Sequence, residues 1–187
     1  MFSAQGINTC DGSNILCKKC DMIFLAIKPQ FFEPLLKEIK SLNLSGKTFV
    51  SIAAGISVKY ISEFLGKGNK VIRVMPNTPL MVECGATAVA ESAYPEVEIV
   101  KSIFRCSGEV CVLDESLLNA IISVSGSTPA LFFRIVKVIA KTAEELGIPY
   151  DTALEMAAKA MEGSAKMLMM SGETPDKLIE KVSSKGG

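Results

Sequence analysis

Asp21-Met22-Ile23-Phe24-Leu25-Ala26-Ile27-Lys28-Pro29 decides the architecture of this chain. A continuous apolar run of this kind, followed by a helical pattern, reads as a strand of a parallel sheet buried on both faces. Pro29 closes it, because proline has no N–H to offer a ladder. Residues 31–40 then carry helical spacing, with Pro34 tolerated only near the first turn. Residues 48–53 form the next strand and run into Ala54-Gly55, after which Ser57 caps a helix reaching Leu65. A third strand follows over 70–74, an alternating fourth over 85–90, a helix over 95–107 and a strand over 109–113. Strands alternating with helices predict an α/β fold with a mostly parallel sheet covered on both faces.

The third strand ends in Arg73-Val74-Met75-Pro76-Asn77-Thr78-Pro79. Two prolines bracket an Asn-Thr pair, fix their own φ angles and push the preceding residues to extended shapes. A rigid polar turn at the end of a buried strand lies where open α/β sheets bind ligands.

Beyond Asp114 the pattern becomes helical throughout. A helix over 117–123 leads to Ser125-Gly126-Ser127-Thr128-Pro129-Ala130, where Pro129 behind Ser127 and Thr128 signals a helix start. That helix reaches Leu146 and stops at Gly147 and Pro149. Asp151 caps a long helix ending near Ser171-Gly172, and a short one begins at Pro175. The long helix mixes Ala157, Ala158, Ala160 and Gly163 with Met156, Met161, Met167, Met169 and Met170. Small residues permit close helix approach and methionines fill irregular gaps, so a partner subunit is expected against this layer. The boundary near residue 114 reads as a hinge rather than a tether.

Composition narrows the chemistry. The 187 residues are 49% hydrophobic and 21% charged, which is globular, and 20 basic residues balance 20 acidic ones. That balance offers no electrostatic case for nucleic acid or an acidic membrane surface. Apolar runs such as 22–27 fall short of the ~18 residues of a membrane span. No charged segment followed by an apolar stretch opens the chain, so a cytoplasmic location is expected. With no histidine, neither a Ser-His-Asp triad nor a histidine-ligated zinc is possible within one chain. Cys17 and Cys20 form a C-x-x-C, but Cys10, Cys84, Cys106 and Cys111 do not supply a second close pair. Reduced thiols and no metal site are expected. Catalysis then depends on a cofactor, on Lys, Asp or Glu, or on the substrate's own acid–base character.

No G-x-G-x-x-G occurs; Gly66-Lys67-Gly68-Asn69-Lys70-Val71 lacks the last glycine and precedes a strand. A βαβ unit takes roughly 30 residues, more than the stretch before the first strand offers. The expectation is a sheet domain without its first βαβ half.

Four segments in this order resemble the pyrroline-5-carboxylate reductase family. They are Phe24-Leu25-Ala26-Ile27-Lys28-Pro29, the Val71-to-Pro79 run, Ser125-to-Ala130, and Gly163-Ser164-Ala165-Lys166-Met167-Leu168 continuing to Val182-Ser183-Ser184-Lys185-Gly186-Gly187. The resemblance implies a partial, Rossmann-like dinucleotide-binding domain over 1–114, lacking its first βαβ unit. It also implies an all-helical dimerisation and substrate domain over 115–187. It further implies hydride transfer from NADPH or NADH to the C=N carbon of pyrroline-5-carboxylate, giving proline, in a homodimer joined through the C-terminal helices. A cyclic imine brings its own protonation, which suits a histidine-free protein.

The same resemblance assigns residues. Ala26, Ile27 and Lys28 border the cofactor, as do Ala54 and Gly55, and a family asparagine ahead of the first segment falls on Ser13 by strict spacing or on Asn14 with a one-residue gap. Met75 and Asn77 belong to the loop beneath the nicotinamide, and Ser125 to Pro129 to an opposing helix N-terminus with free N–H groups. Ser184 and Gly187 fall in the loop for the substrate carboxylate, and Glu173 at an acidic position near the substrate. The family has proline where this chain has Lys185, and its catalytic threonine falls just beyond Gly187. The chain by itself is therefore expected to be inactive or weakly active. Two other readings compete: a β-hydroxyacid dehydrogenase, for which Lys137 or Lys141 would be the catalytic lysine, and a non-enzymatic dimerising fragment.

Overall fold

The computed structural model describes residues 2–184, and the chain divides into two compact units, Met1–Pro129 and Ala130–Gly187. In the first unit, α1 (Ser13–Lys19), β1 (Met22–Leu25), α2 (Phe32–Lys40), β2 (Thr48–Ser51), α3 (Val58–Leu65) and β3 (Lys70–Met75) alternate. After them come β4 (Gly85–Ala90), α4 (Glu96–Arg105) and β5 (Gly108–Leu113). The five strands form one sheet in the order β1-β2-β3-β4-β5. All neighbours are parallel except β3 and β4.

Strand alternation sorts side chains to two faces. Ile23, Leu25, Phe49 and Val71 pack with Phe32 and Leu36 of α2 and Ile61 and Leu65 of α3. On the opposite face Val50, Ile72, Val74 and Val89 pack with Val100 of α4. Met75, Ala88 and Ala90 take Leu118, Ile121 and Ile122 from the segment after β5. Helical elements thus pack on both faces of the sheet, as the alternation of elements predicts, while Phe24 of β1 and Val112 of β5 remain exposed.

Strand ends differ from the sequence reading where proline intervenes. β1 stops at Leu25, because residues 26–28 turn outward toward a 3-10 turn at Pro29–Phe31, with Lys28 held extended ahead of the proline. The helix expected over 117–123 is instead a 3-10 turn at Glu115–Leu118 and a π-helical turn at Ile122–Gly126. α5 (Thr128–Glu145) follows, then α6 (Tyr150–Met170) and α7 (Pro175–Val182). Asp151 is not the cap of α6: Pro149 holds that position and Asp151 lies in the first turn, where the helix dipole still favours its charge.

In the second unit α5 and α6 bury little of their apolar surface. Val136, Ala140 and Ala153 are buried, whereas Phe133 is 69% and Met170 83% exposed. Ser164 and Met167 of α6 form a shallow apolar groove with Leu178, Ile179 and Val182 of α7. Among the described residues, the Glu115–Glu145 stretch contains an 18-residue window of mean hydropathy 1.4, long and apolar enough by length and composition to cross a membrane. Contiguous apolar runs do not reveal it, because polar residues are interspersed along the stretch.

Candidate functional site

Three loops leave the carboxyl ends of adjacent strands on one side of the sheet. Register places Leu25 beside Ser51 and Ser51 beside Arg73, so residues 26–29, 52–57 and 76–82 emerge next to one another. This is where open α/β sheets receive ligands. Ala26 and Lys28 are exposed, while Ile27 packs on the core and anchors the first loop. In the second loop Ala53 is buried, Ala54 is exposed and Gly55 takes φ +76°, a backbone shape that side chains strain. Ser57 accepts from the Tyr60 N–H and starts α3 as the sequence predicts.

The third loop is built on Asn77. Met75 is buried at the end of β3, and Asn77 Oδ1 accepts from the Ala86 N–H at 2.9 Å, pinning the turn to β4. Its Nδ2 donates to the Ser125 carbonyl at 3.1 Å. In a helix that carbonyl would accept from residue 129, but Pro129 has no N–H. A π-helical turn, Ile122–Gly126, lies just before α5. Of the N–H groups expected to be free at 125–129, that of Ser127 donates to the Ile122 carbonyl at 2.7 Å, while Thr128 Oγ1 donates to the Val124 carbonyl.

Arg73 is an element that sequence reading passed over. Two residues from both Val71 and Met75, it shares their face of the sheet and is buried. Its Nη2 donates to Asn119 Oδ1 at 2.7 Å, and Nη1 lies 3.6 Å from Glu115 Oε1. Glu115 Oε1 also accepts from the Val58 N–H at 2.7 Å. The available signal was a charged residue at an inward position of a buried strand.

The remaining expected residues lie elsewhere. Asn14 is exposed in α1, where its Oδ1 accepts from the Ile15 N–H. In the second unit, both Glu173 oxygens accept from Lys181 Nζ at 2.7 Å, so this carboxylate already has a partner. Ser184 is exposed past the end of α7, and Gly187 lies outside the described residues. Lys137 and Lys141 are exposed on α5. All six cysteines are free; Cys17 alone is buried, which raises its thiol pKa, with the nearby Glu38 adding to the effect. Among the described residues no group of three or more acidic or thiol side chains is placed to hold a metal ion.

Known proteins give these positions a context. Residues 115–187 match the model for pyrroline-5-carboxylate reductase dimerisation, and residues 2–55 that for NADP oxidoreductase, coenzyme F420-dependent. The pyrroline-5-carboxylate reductase of Escherichia coli is 39% identical over 185 residues, covering 97% of this chain and 69% of the relative. The chain belongs to the pyrroline-5-carboxylate reductase family. Solved members superpose closely. The Streptococcus pyogenes 1-pyrroline-5-carboxylate reductase is 28% identical with a TM-score of 0.89, covering 99% of this chain and 71% of its own. The Plasmodium falciparum pyrroline carboxylate reductase, solved with NADP bound, is 26% identical with a TM-score of 0.90, covering 97% and 70%. Membership sets aside the β-hydroxyacid dehydrogenase reading and with it any special role for Lys137 or Lys141. In this member of the family, the loops at 26–29, 52–57 and 76–82 lie at the carboxyl ends of the parallel strands, the side on which open α/β sheets generally receive ligands.

Proposed function

We propose that this chain acts in the NAD(P)H-dependent reduction of 1-pyrroline-5-carboxylate to L-proline, as a homodimer in the cytoplasm. The observation that carries the reading is the juxtaposition of the three strand-end loops at 26–29, 52–57 and 76–82, in a chain of this family. The donor set there fits a dinucleotide: an exposed cation at Lys28, exposed backbone at Ala26 and Ala54, and a turn at Gly55 that keeps side chains away. Bound there, the nicotinamide supplies a hydride to the imine carbon.

The chain's own residues contribute placement. Ala26, Ile27 and Lys28 line one side of the cofactor, and Lys28 donates to a hydroxyl or phosphate oxygen. Ala54 would border the cofactor as well. Met75 and the Asn77-pinned turn form a floor that does not yield, which matters because hydride transfer needs donor and acceptor within about 3–3.5 Å. The Asn77 amide is committed to Ala86 and Ser125, so its part is to fix the floor rather than to grip the cofactor. Ser184, and Gly187 outside the described residues, are the family's positions for the substrate carboxylate; the N–H groups of a Gly-rich turn suit an anion. The substrate is protonated at its imine nitrogen before attack, so no protein histidine is needed.

The dimer reading rests on the match to the dimerisation model and on the apolar residues that α5 and α6 leave exposed, including Leu131, Phe132, Phe133, Met169 and Met170. Burying such a patch against a second copy removes apolar surface from water. The test is pyrroline-5-carboxylate-dependent NADPH oxidation with proline as product, with sedimentation giving the assembly. The expected result is a dimer in which proline formation by the chain alone is weak or absent. Turnover of another carbonyl or imine in preference to pyrroline-5-carboxylate would contradict the substrate assignment, and a monomer at assay concentrations would contradict the dimer.

A further inference from the structure

Arg73 takes no part in the function proposed above, yet it occupies the middle of β3 with its side chain only 3% exposed. Val71 on one side and Met75 on the other belong to two apolar clusters, so a charge interrupts an otherwise oily face. Its Nε has no hydrogen-bond partner among the described residues. A buried guanidinium with an idle N–H is unfavourable unless its other bonds are held firmly. They are: Asn119 Oδ1 accepts at 2.7 Å, and Glu115 Oε1 lies 3.6 Å away.

The second link runs from Glu115 to α3. The first N–H groups of a helix have no acceptor within it. Ser57 Oγ takes that of Tyr60, and Glu115 Oε1 takes that of Val58 at 2.7 Å from 57 residues away in sequence. A glutamate side chain that is 34% exposed would sample several rotamers if left alone. The guanidinium fork, fixed by Asn119, selects one of them.

We infer that Arg73 is a positioning residue for the cofactor-binding turn: through Glu115 it fixes the start of α3 and hence residues 54–57. The inference rests on the reading that this turn borders the cofactor. A lysine at 73 would serve it poorly, because one ammonium cannot span Asn119 and Glu115 as a planar fork does.

Amide hydrogen exchange of the full chain, read residue by residue, tests the relay without requiring turnover; titration with NADP+ runs alongside. Arg73→Met, which never touches Val58, lowers protection at Val58 about tenfold while Val50 and Val89 in the sheet keep theirs. Arg73→Lys gives an intermediate loss, and both variants bind NADP+ more weakly than the parent. Val58 protection unchanged in Arg73→Met overturns the inference, as does an equal loss at Val58, Val50 and Val89, which marks a purely structural role. Should Arg73→Met fail to fold, Asn119→Ala decides, since it frees the guanidinium without touching Glu115 or Val58: loss confined to Val58 supports the relay and no loss overturns it. If Val58 responds but the parent chain binds no NADP+, the relay stands and the cofactor reading fails.

Discussion

Asn77 supplies to the Ser125 carbonyl the hydrogen bond that Pro129 cannot. The amide sits at the turn after β3, donates across 48 residues of sequence at 3.1 Å, and with its oxygen holds the Ala86 N–H at 2.9 Å. One side chain therefore fixes the strand-end turn, the start of β4 and the π-helical turn before α5.

Removing that side chain leaves one donor and one acceptor without partners in a partly buried place. Asn77→Ala is expected to destabilise the chain by about 1–3 kcal/mol in denaturant unfolding. Asn77→Asp keeps an acceptor for Ala86 but turns a second oxygen toward the Ser125 carbonyl. It should therefore cost at least as much as the alanine change above the carboxylate's pKa, and less once the group is protonated.

Gly108 and Gly85 are register partners at the start of the β4–β5 pair, and their backbones all but touch. A Cβ on Gly108 would lie 2.1 Å from the Gly85 carbonyl oxygen, and φ of +143° adds strain for any side chain. Gly108→Ala should cost about 3 kcal/mol or more. Gly163→Ala, where a Cβ meets open space on α6, should be neutral or stabilising by up to about 1 kcal/mol. Thermal melts of the two variants separate these outcomes.

Glu162 on α6 stands between two lysines, with Lys159 Nζ at 2.8 Å and Lys166 Nζ at 2.5 Å. Hydrogen bonds from Lys159 and then Lys166 hold its carboxyl pKa down to about 2. A depressed carboxylate pKa contributes stability above the unfolded value of 4.5, and the contribution fades as pH falls from there toward 2. Carbon-detected NMR should find the Glu162 carboxyl titrating well below the other glutamates, and Lys159→Met should move it upward. A midpoint near 4.5 in the parent chain would contradict the pairing.

Cys17 is buried against α2, whereas its C-x-x-C partner Cys20 and nearby Cys10 are exposed. Burial raises its thiol pKa, so little thiolate forms at neutral pH. Alkylation followed by peptide mass mapping should show Cys10 and Cys20 modified long before Cys17. Rapid modification of Cys17 in the folded chain would mean that α1 opens readily.

The sheet unit was legible because its signals are local. Apolar runs mark β1 to β3, and Ser57 marks the start of α3. The segment before α5 was not legible. Pro129 reads as a helix start, but a π turn precedes it, and the Ser125 carbonyl takes its hydrogen bond from Asn77, far along the chain. Arg73 was missed for a related reason: its partners, Glu115 and Asn119, come 42 and 46 residues later, and no spacing rule links them. Loop positions at 26–28 and 54–55 are assigned by family resemblance alone, since exposed backbone carries no side-chain signature. The apolar surface of α5 was visible in sequence, but its extent shows only when so little of it is buried in the chain's own structure.

On the proposed function, the strand-end loops of β1, β2 and β3 hold a nicotinamide dinucleotide. Titration of the isotope-labelled chain with NADP+, followed by amide chemical shifts, tests it most directly and reports even weak binding. The account predicts shifts concentrated at 26–28, 54–55 and 75–77. Shifts gathered instead at the opposite end of the sheet, around Lys40 and Lys67, or none at saturating NADP+, would contradict it.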